Sequence, residues 1–467
     1  MLQKRLMEHM TTVLKFGGTS VGDGETIREL VSVVRKTAED GSVAVVVSAM
    51  SGVSNSLLSA ADSAPSWGEA EINDFAGSLR RRHIEASEIA VAKNRDALIE
   101  AIDKVIGDLR DTLPSLRSRT VTPESIAKIA AYGEKLSAPI VSAAIADWIP
   151  SEYHYGDDCL IITDDNFLNA EPLMTATRKA VRKKLIPQLE GNTIPVVTGF
   201  MGCNRSGQTT ILGRGSSDHI SAILGACLDA REVQIWTDVD GLLTADPKIV
   251  ESAKLIKRIS FNEASELAYF GAKVLHPKTV LPAMQKDIPI RILNLRNRQC
   301  PGTLIVNTIG EPEHVVTAIT VKKGITLIEI LSTKMLAAYG FLARIFGVFA
   351  KYKVSVDMLS TTEVSVSLTI DQGYEGEVES FIDDIRKIAN VEVMRDKALV
   401  CVIGEGMKSV PGIAGRIFSC LGANGINVKC ISQGALQINI SFVVDSSEAD
   451  RAVRLLHDEI ILNYSWS

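Results

Sequence analysis

Lys15-Phe16-Gly17-Gly18-Thr19-Ser20 follows the short apolar run Val13-Leu14 and precedes a segment with apolar residues at helical spacing. This pattern predicts a strand, a glycine turn and the start of a helix, with a lysine at the end of the strand. Such a turn offers backbone N–H groups and a positive helix end to an anion, and Lys15 adds a point charge. Because no G-x-x-x-x-G-K-[ST] occurs in the sequence, the predicted anion site is not a P-loop. The alternative is an ordinary strand–helix connection whose glycines allow tight packing.

Length and composition indicate a globular protein of several domains. A chain of 467 residues predicts two to four domains, and 46% hydrophobic with 23% charged residues is typical of a globular protein. The net charge of −6 argues against a nucleic-acid surface, and no apolar run is long enough for a membrane span. Seven dispersed cysteines without a C-x-x-C, and a charged start unlike a signal peptide, predict free thiols in a reducing cytoplasm.

The first three hundred residues alternate between apolar strands and amphipathic helices. Val43–Val47 and Ile194–Thr198 are continuous apolar runs typical of buried strands, and residues 69–112 read as a helical insertion. This alternation predicts an open α/β sheet, in which ligands bind at the carboxyl ends of the strands. Because the polar loops follow strands, we expect them to converge on one cleft.

The last third of the chain repeats itself after a Pro- and Gly-containing stretch, 301–314, which we predict to be a linker. Residues 340–346 match 412–418, and residues 364–368 match 438–442. Each copy reads as strand, glycine loop, helix, strand, turn, strand and helix. Two βαββαβ modules are therefore predicted, since two copies are too few for a solenoid.

Two loops of the first region carry hydroxyls or a carboxylate. The loop from Ser48 to Asn55 offers hydroxyls that orient a carboxylate or a phosphate, and the alternative is a helix cap by Ser51 or Ser54. Glu134 stands in a stretch rich in Ala and Ile, which places a carboxylate near a buried face suited to an ammonium group. Its alternative is a surface helix acid paired with Lys135 or with another neighbour.

A further loop, 213–218, holds an arginine between two glycines. Arg214 in that setting suits bidentate capture of a carboxylate, whereas Asp218 has the alternative of capping the helix that follows or complementing its dipole. Residues 236–241 and 245–248 are acidic turns that fit either a nucleotide or solvated Asx turns, and Lys273 lies near another glycine.

The candidate residues favour phosphoryl transfer as the reaction. They include a lysine, an arginine, glycine loops and acids, but no nucleophile–base pair. That reaction depends on charge neutralisation and in-line positioning more than on covalent help. Since no clustered His/Cys set is present, the metal expected is Mg²⁺ that arrives with a nucleotide.

Taken together, these loops resemble the aspartate kinases of the amino acid kinase family, with two ACT domains behind the catalytic region. The motifs that carry the resemblance are Lys15-Phe16-Gly17-Gly18-Thr19-Ser20, Val47-Ser48-Ala49-Met50, Gly133-Glu134, Gly213-Arg214-Gly215, Trp236-Thr237-Asp238, Asp246-Pro247 and Phe270 to Pro277. The resemblance implies an open, mainly parallel sheet sandwiched by helices. It also implies a catalytic domain over 11–305, one ACT domain over 315–323 plus 398–467, and another, inserted, over 324–397.

The same resemblance implies ATP-dependent phosphorylation of the aspartate side-chain carboxylate, the entry step to lysine, threonine and methionine synthesis. It assigns catalysis to Lys15, Gly17, Gly18 and Asp218, and substrate binding to Thr19, Ser48, Ser54, Glu134, Arg214 and Ser217. It assigns ATP binding to Thr237, Asp238, Leu243, Lys248 and Lys273. Relatives usually have threonine at Ser54, glycine at Ser216, an aromatic residue at Leu243 and arginine at Lys248, so this chain departs from the pattern at these positions.

The tandem modules resemble the regulatory part of lysine-inhibited aspartate kinases. The residues expected to bind an effector are Met335, Asp357, Thr361, Thr362 and Glu363. Asp357 and Glu363 suit an effector ε-ammonium group, so lysine is the effector favoured and threonine the second; the alternative is that both are solvent-facing acids. The resemblance also implies a homodimer or tetramer paired through ACT domains.

Two other functions remain open at this point. A kinase of the same fold acting on glutamate, acetylglutamate or a carbamate is disfavoured by the ACT modules and by Glu134 with Arg214. A catalytically inactive amino-acid sensor is disfavoured by the intact Lys15 and Asp218.

Overall fold

The computed structural model describes residues 11–116, 121–213, 215–270, 277–310, 314–332, 339–371 and 378–462. The chain divides into two compact units, Met1–Gly241 with Leu275–Asn307, and Leu242–Val274 with Thr308–Ser467. The second unit therefore includes a segment, Leu242–Val274, that lies within the catalytic domain predicted over 11–305. The predicted domain boundaries stay predictions.

Sixteen strands are found in the described residues. They are β1 (Thr12–Phe16), β2 (Val43–Val47), β3 (Ser151–His154), β4 (Ile194–Thr198), β5 (Met201–Cys203), β6 (Thr209–Ile211), β7 (Glu232–Thr237), β8 (Arg258–Ser260), β9 (Ile290–Asn294), β10 (Thr303–Val306), β11 (Ala318–Leu331), β12 (Met358–Thr361), β13 (Ser365–Ile370), β14 (Asn390–Ile403), β15 (Cys430–Gln433) and β16 (Asn439–Asp445).

The α-helices of the same residues are α1 (Gly24–Ala38), α2 (Val53–Ser63), α3 (Glu69–Ala90), α4 (Arg95–Thr112), α5 (Pro123–Ala146), α6 (Met174–Glu190), α7 (Ser216–Leu228), α8 (Phe261–Phe270), α9 (Pro277–Met284), α10 (Phe341–Lys351), α11 (Val378–Arg386), α12 (Ile413–Ala423) and α13 (Ala449–Leu456). The predicted helical insertion over 69–112 is confirmed as the two helices α3 and α4. No helix within the described ranges has both the length and the apolar character that crossing a membrane requires.

The first unit is built on a mainly parallel sheet in the order β3-β4-β2-β1-β7-β9-β10. Pairing is parallel from β3 to β9, and β10 runs antiparallel to β9. Lys15, near the end of β1, lies between Val46 of β2 and Ile235 of β7. Since the chain leaves β1 towards β2 and later adds β7 on the other side, the carboxyl end of β1 is a point where strand order reverses, the usual place for a ligand. The predicted open α/β sheet is confirmed.

Strands β1, β2 and β4 are buried along their whole length. The continuous apolar run Val43–Val47 predicts this for β2, whereas β1 also buries Thr12 and Lys15. Helix α1 begins with a capping box in which Asp23 accepts from the Thr26 N–H, and α5 begins with Thr122 as cap and Pro123 in its first turn. The cap of α1 explains why that helix starts soon after the glycine turn that holds Lys15, Gly17 and Gly18, whereas the candidate residue Glu134 lies within α5 itself.

The predicted linker over 301–314 is wrong in its first half. Thr303–Val306 forms β10, which pairs antiparallel with β9. Pro301 and Gly302 precede a four-residue strand that is too short to show a clear period beside such turn residues.

The repeats of the second unit form one antiparallel sheet in the order β12-β13-β11-β14-β16-β15. The first copy supplies β11, α10, β12, β13 and α11, and the second supplies β14, α12, β15, β16 and α13. The two predicted βαββαβ modules are confirmed, and each packs its helices over its own apolar cluster.

Candidate active site

The carboxyl end of β1 presents an ion pair. Lys15 Nζ lies 2.5 Å from Asp218 Oδ1, and both side chains are about one-tenth exposed. Lys15 comes from the centre of the sheet and Asp218 from the first turn of α7, so the pair joins two elements that meet at the strand ends. The ion pair therefore lies where few water molecules compete with it.

A cavity of about 430 Å³ opens over this pair in the first unit. Its walls come from the loops that follow β1, β2, β4 and β7, together with α5 and the start of α7. The lining residues are Lys15, Gly17, Gly18, Thr19, Ser48, Ala49, Met50, Ser51, Gly52, Ser54, Asn55, Glu134, Phe200, Gly215, Ser216, Ser217, Asp218, Thr237 and Asp238. The expectation that polar loops converge on one cleft is thus confirmed for four of the strands.

Glu134 is the buried acid of this cavity. Its Oε1 accepts the Ala49 N–H at 3.1 Å, while Oε2 has no hydrogen-bond partner within the residues that the structure describes. Burial raises the pKa of the Glu134 carboxyl to about 8, against the opposing effect of the Ala49 N–H. The interpretation of Glu134 as a surface acid paired with Lys135 is wrong, because Lys135 pairs instead with Asp157 at 2.6 Å. An unpartnered carboxylate oxygen at a cavity wall is suited to a cation.

The loop after β2 does not cap its helix with a side chain. Helix α2 has Gly52 as its N-cap, without a side-chain hydrogen bond, so capping by Ser51 or Ser54 is wrong. Ser48, Ser51 and Ser54 line the cavity instead.

The glycine turn after β1 is already partly hydrogen-bonded. The Gly17 N–H donates to the Trp236 carbonyl at 3.2 Å, and the Gly18 carbonyl accepts the Ser51 N–H at 3.1 Å. A phosphoryl group that takes the Gly17 N–H must therefore replace the bond to Trp236. The turn is held between the loops after β2 and β7 before any ligand arrives.

Two glycines with left-handed backbone shape the start of α7. Gly213 and Gly215 have φ values of 86° and 73°, a region that favours glycine, and Ser216 donates to the Gly213 carbonyl at 2.6 Å. Asp218 makes no cap of α7, whose N-cap Gly215 has no side-chain partner; the capping alternative is wrong. Arg214 lies outside the described residues.

The residues predicted to bind a nucleotide are spread over both units. Thr237 and Asp238 line the cavity and are hydrogen-bonded to each other at 3.3 Å. Leu243 and Lys248 belong to the second unit, where the Lys248 N–H donates to Asp246 in an Asx turn and the Lys248 side chain is exposed. Lys273 lies outside the described residues.

The predicted effector residues belong to the second unit and differ in exposure. The Asp357 side chain is 5% exposed and accepts from Lys322 Nζ at 2.9 Å and from the Tyr269 hydroxyl at 3.0 Å, so its description as a solvent-facing acid is wrong. Thr361, Thr362 and Glu363 are exposed at the end of β12 and in the turn after it, whereas Met335 lies outside the described residues.

The predicted set of site residues omits several that line the cavity. Ser51, expected only as a helix cap, and Asn55 belong to the loop after β2, and Phe200 follows β4 with a left-handed φ of 69°. The available signal was position, because Phe200 stands directly beyond the carboxyl end of a buried parallel strand.

Two known families and several aspartokinases are similar to this chain. The amino acid kinase family matches residues 10–294, and an ACT domain matches residues 400–460. Aspartokinase 3 of Arabidopsis thaliana, a chloroplastic protein, is 36% identical, with 96% of this chain and 81% of the relative covered. Lysine-sensitive aspartokinase 3 of Escherichia coli is 32% identical, with 96% of this chain and 98% of the relative covered.

Solved structures give the same family. Escherichia coli aspartokinase III in complex with aspartate and ADP matches with a TM-score of 0.83 and 31% identity over 97% of this chain and 100% of that one. The same enzyme in complex with lysine and aspartate matches with a TM-score of 0.80 and 31% identity, covering 96% and 99% of the two chains.

Proposed function

This chain belongs to the aspartokinases of the amino acid kinase family, and on that premise we propose that it transfers the γ-phosphoryl group of ATP to the side-chain carboxylate of L-aspartate. A carboxylate oxygen attacks the γ-phosphorus while the bond to the β-phosphate oxygen breaks, so the products are 4-phospho-L-aspartate and ADP. The observation that carries the proposal is the Lys15–Asp218 pair at the mouth of a glycine turn, across a cavity from the buried carboxyl of Glu134.

We assign Lys15 the neutralisation of the transferring phosphoryl group, since it is the cationic side chain at the carboxyl end of the central strand. Asp218 holds the Lys15 ammonium in place until the nucleotide supplies a second anion. Because the Lys15 side chain is only about one-tenth exposed, its fixed ammonium stabilises developing negative charge more strongly than it would in bulk solvent. Gly17 and Gly18 are the proposed backbone donors of the same step.

The substrate side of the cavity is assigned to Glu134 and the serines. The unpartnered Oε2 of Glu134 is proposed to accept the α-ammonium of aspartate, while Ser48, Ser54, Ser217 and Thr19 contact its remaining polar groups. Arg214 keeps its proposed role as the partner of the α-carboxylate. The choice of aspartate over glutamate is supported by the similar solved structure of Escherichia coli aspartokinase III, which holds aspartate and ADP.

ATP is assigned to the side of the cavity formed by Thr237 and Asp238. The roles of Leu243, Lys248 and Lys273 rest on the family resemblance. Mg²⁺ is proposed to arrive with the nucleotide and to neutralise phosphate charge, because no group of three or more His, Cys, Asp or Glu able to hold a metal occurs within the described part of the chain.

We further propose feedback inhibition by lysine at the ACT modules, with threonine as the second candidate effector. This would place the enzyme at the entry to lysine, threonine and methionine synthesis. The nearly buried carboxylate of Asp357 supports the choice of a cationic effector. A homodimer or tetramer paired through these modules is proposed on the family resemblance alone, because the two end strands of this sheet, β12 and β15, contact each other through the Ser432 hydroxyl and the Leu359 carbonyl. The free cysteines support a cytoplasmic location.

A coupled assay of ADP release with ATP, Mg²⁺ and either aspartate or glutamate tests the reaction. We expect release with aspartate, and loss of turnover in Lys15→Ala with an unchanged circular dichroism spectrum. ADP release with glutamate but not with aspartate would reject the substrate, and full activity of Lys15→Ala would reject the site. No turnover with any acceptor, together with binding of aspartate, would favour an amino-acid sensor.

A further inference from the structure

Two cysteines of the first unit lie with their sulfur atoms in contact. The Sγ atoms of Cys159 and Cys203 are 3.2 Å apart, although 44 residues separate them in sequence. Cys203 is buried on β5, and Cys159 is exposed on the loop between β3 and α6. A disulfide needs the sulfurs at about 2.05 Å, so a shift of roughly 1 Å would join them.

The backbone around the pair already holds this approach. The Cys203 N–H donates to the Ile161 carbonyl and the Thr163 N–H donates to the Cys203 carbonyl, both at 2.8 Å. The Ile161 N–H closes a turn onto the Gly156 carbonyl at 2.9 Å, and Cys159 lies within that turn. Cys159 itself has a left-handed φ of 56°, which is uncommon for a residue with a side chain. The loop is therefore fixed to β5 on one side of Cys159 and closed on the other.

From this geometry we propose that Cys159 and Cys203 form a reversible disulfide, a redox modification site of the first unit. The other cysteines that the structure describes have different contacts: Cys401, for example, accepts from the Ser441 hydroxyl, and Cys300 donates to the Asp240 carbonyl. The proposal rests on the sulfur contact and the backbone bonds, and it is independent of the reaction assigned to the cavity.

The exposed thiol of Cys159 is expected to react before the buried thiol of Cys203. The Cys159 thiolate attacks one sulfur of a small-molecule disulfide such as oxidised glutathione, and the first glutathione leaves as a thiolate. The Cys203 thiol then loses its proton to solvent and attacks the Cys159 sulfur, which expels the second glutathione. Two protein thiols are oxidised and one disulfide is reduced to two thiols. Burial raises the pKa of the Cys203 thiol to about 12, which is why the exposed Cys159 reacts first.

The cysteine pair is connected to residues of the cavity through β5, β6 and Asp157. Phe200, which lines the cavity, is the residue directly before β5. Strand β6 pairs with β5, and the chain continues from β6 to the start of α7. Asp157, two residues before Cys159, accepts from Thr209 of β6 and pairs with Lys135, the neighbour of Glu134. A bond between Cys159 and Cys203 would close a covalent loop around this part of the first unit.

The test is to treat the full-length protein with oxidised glutathione, block the remaining thiols with iodoacetamide, digest it and map the peptides without reduction. We expect a Cys159–Cys203 linked peptide that disappears after dithiothreitol. Closing a loop of this length predicts a rise in the melting temperature on the order of 5 °C. Cys300→Ser, a matched control in the same unit, should keep both results, whereas Cys159→Ser should lose both.

Because Cys203→Ser changes a buried position, the exposed variant Cys159→Ser carries the test, and peptide mapping of the unsubstituted protein needs no variant. Alkylation of both thiols after oxidation would overturn the proposal. Pairing of either cysteine with a different one would also overturn it, as would an equal rise in melting temperature in Cys159→Ser.

Discussion

At the residue scale, Glu134 is the group through which pH acts on the cavity. Burial raises its pKa to about 8, so in the free protein near pH 7 the carboxyl is mostly protonated. If the carboxylate holds the substrate ammonium, aspartate binding releases a proton. Below pH 8, apparent affinity should then rise by up to about tenfold per pH unit, and it should level off above that value.

Calorimetric titration with aspartate in two buffers of different ionisation enthalpy measures this proton. We expect close to one proton released near pH 7, which falls as the pH approaches about 9. Binding without proton release would contradict the assignment. Glu134→Gln keeps an acceptor for the Ala49 N–H and cannot ionise, so it should lose aspartate affinity at every pH.

The same variant should be more stable than the wild type near pH 8. A carboxyl whose folded pKa is raised costs stability as the pH rises from its unfolded value, near 4.5, to about 8, because only the unfolded chain has released the proton. Glu134→Gln removes that cost. A melting temperature that is lower than wild type at pH 8, but not at pH 5, would contradict this.

The ion pair between Asp218 and Lys15 is also important at the residue scale, because each side chain neutralises the charge of the other in a mostly buried place. Asp218→Asn and Lys15→Met should each destabilise the fold by about 3 kcal/mol, because a charge remains without its counter-ion. The double variant should be less destabilised than the sum of the two, and all three should lose at least about a hundredfold in kcat. Urea unfolding and steady-state assays measure both; additive destabilisation would show that the pair is not coupled.

At the element scale, Gly133 fixes how closely α5 approaches the loop after β2. A Cβ at Gly133 would lie 2.7 Å from the Ala49 Cβ, closer than two carbons can pack. Gly133→Ala should therefore push Ala49 away, break its bond to Glu134, cost about 1–3 kcal/mol and raise the KM for aspartate.

Gly107 of α4 is the matched control, because a Cβ there meets no atom within 4 Å. Gly107→Ala should stabilise the protein by about 0.5–1 kcal/mol and leave KM unchanged. Thermal unfolding and the aspartate dependence of ADP release distinguish the two helical glycines. If both variants behave alike, the close approach of α5 has no part in the site.

Elements with a long, regular pattern were predictable from the sequence, and short or paired features were not. Residues 69–112 carry helical periodicity over many turns, and Val43–Val47 is a continuous apolar run, so both were predicted correctly. The strand Thr303–Val306 was missed because four residues beside Pro and Gly show no period. The Ala- and Ile-rich stretch around Glu134 predicted a carboxylate near a buried face. Its bond to the Ala49 N–H and the partner of Lys135 depend on residues distant in sequence, which no local pattern encodes.

At the scale of the whole molecule, β11 and β14 unite the two regulatory modules. Each strand is fourteen residues long, and β11 pairs with β14 along both modules and with β13 in the first. One continuous sheet therefore carries both copies, and a ligand that moves one module acts on strands shared with the other. This construction is suited to a binding event whose effect extends beyond its own module.

A substitution at Asp357 tests the proposed inhibition by lysine. Its carboxylate already holds Lys322 and Tyr269, so it is an ordered, nearly buried acceptor for an additional ammonium. Asp357→Asn keeps the shape and removes the charge. We expect the lysine concentration for half-inhibition to rise at least about tenfold, since losing a charged hydrogen-bond partner costs roughly 1.5–3 kcal/mol. Activity without lysine should stay within about twofold of wild type, because the substitution lies outside the unit that holds the cavity.

Asp383→Asn is the matched control: it removes an exposed acid of α11 whose partner is Arg386, one turn along the same helix. Its inhibition curve should coincide with that of the wild type. Titrating activity against lysine and, separately, threonine distinguishes the two effectors. Inhibition by threonine with no response to lysine would reject lysine as the effector. An unchanged lysine curve in Asp357→Asn would place the ammonium elsewhere, because a carboxylate that binds the effector cannot lose its charge without weakening that binding.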